Sequence, residues 1–102
     1  MIIIRGTTPD LKFTLPFATD IVEVGFVVIK QSKVMIIEKR LSDCECDGNV
    51  ASVKLTQEET LKLAAGQQVE INLVVKTLDG GRLESKPPFI LKVEDTSKEG
   101  VI

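Results

Sequence analysis

The stretch Gln68-Val69-Glu70-Ile71-Asn72-Leu73-Val74-Val75-Lys76 decides the fold class. Val69, Ile71, Leu73 and Val75 occupy every second place, alternating with Gln68, Glu70, Asn72 and Lys76. A period of two puts one set of side chains on one face of an extended chain and the rest on the other. This is a strand with one buried face. Working outward, Leu11, Phe13 and Leu15 alternate with Lys12 and Thr14. Val22, Val24, Phe26 and Val28 alternate over a longer run, and Val34 to Arg40 is another apolar strand. Phe89, Leu91 and Val93 alternate with Lys92 and Glu94. Turn signals separate the runs: Gly6 to Pro9, Gln31-Ser32-Lys33, Asp47-Gly48, Asp79-Gly80-Gly81 and Pro87-Pro88. Many short strands at this spacing predict an all-β antiparallel sandwich, and residues 1–102 read as one domain.

One segment departs from the strand pattern. Thr56-Gln57-Glu58-Glu59 has the spacing of a capping box, and Ala64-Ala65-Gly66 supplies a stop. The expectation is one or two helical turns over 57–64. They would carry the chain from one sheet to the other, as in an immunoglobulin-like sandwich. At Asp47-Gly48 a two-residue hairpin loop pairs Cys46 with Asn49, Glu45 with Val50 and Cys44 with Ala51. That register places Cys44, Cys46, Ala51, Val53 and Leu55 on one face, and both cysteines inward.

Composition narrows the function. The chain has 102 residues, 13 Lys+Arg, 15 Asp+Glu and no His, Trp or Tyr. A chain of this length buries roughly two-thirds of its unfolded surface and needs no metal to fold. A net charge of −2 gives no drive toward nucleic acid or anionic membrane. Without His there is no Ser–His or Cys–His relay and no imidazole zinc site. Only four Phe are available to stack on bases. The apolar runs are far short of the ~20 residues of a membrane helix, and Met1-Ile2-Ile3-Ile4-Arg5 lacks the layout of a signal peptide. A soluble, non-enzymatic protein folding in a cytoplasm, with no cofactor, is expected.

The chemical-looking motifs have plainer readings. Asp43-Cys44-Glu45-Cys46-Asp47-Gly48 opens like a calcium loop, but Lys54 stands where the closing Glu belongs. Two thiols, Cys44 and Cys46, do not complete a zinc site, though a site shared across a dimer stays open. Glu58-Glu59 suits a first helical turn. Asp79-Gly80-Gly81 lacks the strand–helix context of a phosphate loop.

The strand pair from Ile21 to Ile37 is apolar on both faces. With Val22, Val24, Phe26 and Val28 on one face, a stripe of Val27, Ile29, Met35 and Ile37 is left on the other. That stripe is the candidate interface, covered either by Ile2-Ile3-Ile4 or Val101-Ile102 of the chain itself or by a partner.

Several stretches resemble small prophage-encoded proteins of Gram-positive bacteria. They are Ile3-Ile4-Arg5-Gly6-Thr7-Thr8-Pro9, Leu41-Ser42-Asp43 through Asp47-Gly48-Asn49, and Val53-Lys54-Leu55-Thr56-Gln57-Glu58-Glu59-Thr60-Leu61. Val69-Glu70-Ile71, Asp79-Gly80 and the closing Lys98-Glu99-Gly100-Val101-Ile102 continue the likeness nearly end to end. The pattern is similar to the N-terminal domain of phage baseplate upper proteins. The resemblance implies an immunoglobulin-like sandwich and a structural role in a virion, assembled in the bacterial host cytoplasm. Its implied partners are other tail or baseplate proteins, with a homo-oligomer possible. It carries over no catalytic residue, and apolar residues in such proteins stand where Cys44 and Cys46 stand here. The alternative is a carbohydrate- or surface-binding adhesion module of the same fold, for which the absence of Trp and Tyr leaves few stacking rings.

Overall fold

A computed structural model describes residues 2–85, 88–98 and 100. Among them nine strands form two sheets. The strands are β1 (Ile2–Ile4), β2 (Asp10–Thr14), β3 (Val22–Gln31), β4 (Val34–Arg40), β5 (Glu45–Asp47), β6 (Val50–Lys54), β7 (Gln68–Thr77), β8 (Arg82–Glu84) and β9 (Phe89–Glu94). The large sheet runs β1-β9-β7-β3-β4, with β8 beside β9 on the same edge of β7. The small sheet runs β2-β6-β5. The all-β sandwich expected from the periodicity is the observed architecture. It is not antiparallel throughout: β1 pairs in parallel with β9, so the large sheet is mixed. No helix among the described residues is long and apolar enough to cross a membrane.

The core lies between the sheets. Val27 and Ile29 of β3 and Val69, Ile71, Leu73 and Val75 of β7 point into it from the large sheet. Leu11 and Phe13 of β2 and Ala51 and Val53 of β6 meet them from the small one. Phe13 and Phe89 join the layers, with ring centroids 4.6 Å apart. Ile3 is fully buried and seals the β9 side. Of the N-terminal isoleucines only that one covers anything; Ile2 and Ile4 are exposed. Val101-Ile102 and Pro87 lie outside the described residues.

The predicted capping box is present, since Glu59 N–H donates to Thr56 Oγ1 at 3.1 Å and Thr56 N–H donates to Glu59 Oε1 at 2.8 Å. The helix, α1 (Gln57–Leu61), is shorter than the 57–64 expected, and it joins β6 of one sheet to β7 of the other. Arg5 meets the chain where the helix ends. Its guanidinium donates to the Leu63 carbonyl at 2.7 Å and the Leu61 carbonyl at 3.1 Å, and it pairs with Asp95 at 2.7 Å. The carbonyls left unbonded by the last turn are thus met by a cation.

The hairpin loop is Gly48-Asn49, one place beyond the expected Asp47-Gly48. The pairs are Asp47 with Val50, Cys46 with Ala51 and Glu45 with Ser52. This is a slip of two residues in register, which preserves the sorting of faces. Gly48 adopts φ +60°, and Gly at the first loop position fits a type II′ turn. Gly25 has a different reason to be Gly. A Cβ there would lie 2.8 Å from Leu41 Cδ2 and 3.0 Å from Val75 Cγ1.

Gly25→Ala should therefore lower stability by about 1–3 kcal/mol through overpacking, read as a lower urea midpoint with an unchanged slope. Acid sensitivity follows from α1. Burial pushes the Glu59 carboxyl up, but hydrogen bonds from Thr56 and Lys39 outweigh it and hold the group below its ordinary value. A carboxyl depressed in the folded state stabilises fully above its unfolded pKa, about 4.3. It loses that contribution as pH falls through the lower folded value. Glu59→Gln should cost about 1 kcal/mol at pH 7 and clearly less at pH 3, measured by urea unfolding at both.

Candidate functional site

The outer face of the large sheet is built by the even-numbered residues of β3 and β7. Register sets Met35, Lys30, Glu70 and Ile90 side by side across β4, β3, β7 and β9. The next row is Glu38, Val28 and Asn72. The third is Arg40, Phe26, Val74 and Glu84. Val24 and Lys76 follow. Val24, Met35 and Ile90 are 45%, 52% and 53% exposed, while Phe26, Val28, Asn72 and Val74 are half-buried. Asn72 Oδ1 is buried with no hydrogen-bond partner among the described residues. By contrast, the outer face of the small sheet is polar apart from the half-buried Val50, with Asp10, Lys12, Thr14, Ser52 and Lys54.

The stripe predicted as an interface is not on the surface. Val27, Ile29 and Ile37 are 0%, 0% and 4% exposed and belong to the core. The pairing with β7 decides this: Val27 lies opposite Leu73 and Ile29 opposite Ile71, both inward. Of the four, only Met35 is outside. Period two would keep Met35 with Ile37, but the register shifts between Ile29 and Lys30. Ile37 opposes Ile29 and Met35 opposes Lys30, which leaves Ile36 as the extra residue of a bulge. The outward apolar residues are the set taken for the inner one: Val24, Phe26 and Val28. Val74 was the available signal, the one apolar side chain in the polar register of β7 and the direct neighbour of Phe26.

The thiols divide. Cys44 packs against the core, as expected, and its Sγ donates to the Arg40 carbonyl at 3.5 Å. Cys46 does not sit in the core. It is exposed, on β5, the edge strand of the small sheet. Burial, then the neighbouring Cys46, pushes the Cys44 thiol up, and partial burial of the sulfur does the same for Cys46. Both are protonated at neutral pH, the form that is a poor nucleophile and a poor ligand. Glu45 and Asp47 lie on β5, while Lys54 ends β6 opposite Asp10, so the calcium-like string does not close on itself. No group of three or more His, Cys, Asp or Glu converges on a metal position among the described residues.

A cleft of about 590 Å³ runs between Thr19–Asp20, the start of β3, Arg40–Ser42 and the β5–β6 hairpin. Asp20, Arg40, Cys46 and Asp47 line it. Its thiol is protonated, and no nucleophile, base and orienting group come together there among the described residues. No family model, curated protein or solved structure matches the chain.

The two faces of β3 and β4 should respond differently to substitution. Ile29→Ala should cost about 2–5 kcal/mol by leaving a core cavity. Met35→Ser should change stability by less than about 0.5 kcal/mol. Equal effects in urea unfolding would contradict the assignment of faces.

Proposed function

We propose that the chain is a structural protein of a prophage tail or baseplate, acting by protein–protein assembly through an immunoglobulin-like sandwich. One observation carries the assembly half of this reading: the outer face of the large sheet, where Val24, Phe26, Val28, Val74, Met35 and Ile90 are gathered among charges. A sheet face left to water ordinarily shows polar residues, as the small sheet does here. An apolar patch such as Val24, Phe26, Val28 and Val74, with Met35 and Ile90 on either side of Lys30 and Glu70, is the form of a contact surface. The sequence likeness to baseplate proteins, from Ile3-Ile4-Arg5-Gly6 to Lys98-Glu99-Gly100, supplies the tail and baseplate half. On this reading the protein is made in the host cytoplasm and ends in the particle, beside other tail or baseplate subunits.

The test is mass spectrometry of density-purified particles induced from the lysogen that encodes the chain. Its peptides are expected at an abundance comparable with other tail subunits. Their absence from particles, with the chain present in the lysate, overturns the virion role.

A further inference from the structure

We infer that the outer face of the large sheet is the contact surface of a two-fold dimer of this chain, its axis running along the strands between β3 and β7. The inference rests on the assembly reading above and names a second copy as the partner. The rows carry the argument. An axis in the contact plane, parallel to the strands, lays each row over its own reverse. Met35 of one copy then meets Ile90 of the other, and Lys30 meets Glu70. In the third row Arg40 meets Glu84 and Phe26 meets Val74. In these two rows opposite charges face each other and apolar residues face apolar ones. In the row between them Val28 meets Asn72, and beyond them Val24 meets Lys76 at the rim, where Lys76 lies 3.8 Å from Glu23.

The other in-plane axis, across the strands, does not do this. It would set Lys30 on Phe26 and Glu70 on Val74, burying charges against apolar surface without partners. Its first and third rows are thus self-complementary under one orientation, which is what an isologous contact requires. The same axis passes beside Asn72. The two Asn72 side chains flank it one strand spacing apart, each facing Val28 of the other copy. Two sheets packed this way lie about 10 Å apart with nearly aligned strands. Four strands and three rows give a footprint on the order of 400–500 Å² per copy, below the ~800 Å² of a standard interface. The dimer is accordingly weak, and both its ion-pair rows sit at the rim.

Sedimentation equilibrium of the full chain tests this between about 5 μM and about 1 mM, the range of a weak complex. The mass is expected to rise from 11.2 kDa toward twice that value. An acidic variant, Lys30→Glu with Arg40→Glu, and a basic variant, Glu70→Lys with Glu84→Lys, should each dimerise at least about tenfold more weakly. Mixed one to one, they should associate again, since acid then meets base. Far-UV circular dichroism checks that both fold. Should either fail to fold, Met35→Cys and Ile90→Cys chains, each also carrying Cys46→Ser to remove the exposed thiol, serve instead, all these changes being at exposed sites. Treated together with a short bifunctional maleimide, whose span suits facing sheets too far apart for a direct disulfide, they should give several-fold more covalent dimer than either alone. A wild-type chain that stays monomeric to the top of the range overturns the dimer, and the particle result is independent of it. A dimer indifferent to the four charge reversals, or equal crosslinking in mixed and single samples, overturns the face and axis.

Discussion

Two sheets of unequal size share one apolar interior, and most other features accommodate that contact. Val27, Ile29, Ile71 and Leu73 have no exposure because Leu11, Phe13, Ala51 and Val53 lie across from them. At roughly 1.5–3 kcal/mol for each large apolar side chain buried, this contact outweighs any single polar interaction in the molecule. The polar groups at its margin act as seams. Gln31 points inward at the end of β3 and exchanges two hydrogen bonds with the Ala64 backbone, at 2.7 and 2.8 Å. Lys39, also inward on β4, donates to the Lys54 carbonyl and pairs with Glu59 at 3.0 Å. Each joins the large sheet to the connection between β6 and β7. Burial is tolerated there because every charge or amide meets a partner.

The same contact explains which parts of the fold were legible in the sequence. β7 could be read at once because its alternation is nearly complete and its polar side is marked by Glu70 and Lys76. The capping box at Thr56 was legible because it is local, satisfied within four residues. β3 and β4 were strands on inspection, yet their inner face was not decidable from either alone. Both sides of β3 are apolar, and only the pairing of Val27 with Leu73 fixes the orientation. The bulge at Ile36 carries no local mark, so Met35 and Ile37 looked like neighbours on one face. β1 and β8 are three residues each, too short for a period to show. Arg5 has partners at Leu61, Leu63 and Asp95, separations that no spacing rule reaches.

An apolar strand can be used by its face or by its edge, and the edges of this molecule are poorly suited to pairing. β4 ends the large sheet on one side. Its ladder is broken by the Ile36 bulge, and its outer half carries Glu38, Lys39 and Arg40. The β3–β4 turn places Ser32 and Lys33 at φ 53° and 65°, a left-handed pair that coils the hairpin tip rather than extending it. On the other side β1 is three residues long. In the small sheet β5 is equally short and acidic, with Glu45 and Asp47, and β2 alternates Lys12 with buried Leu11 and Phe13. Bulges, charges and short strands are the devices that keep sheet edges from accepting another strand. With the edges blunted in this way, the outer face of the large sheet, and not an edge, is where the proposed contact is set. Its rows carry apolar side chains among charges, with Lys30 and Arg40 on the β3–β4 side and Glu70 and Glu84 on the β7–β8 side.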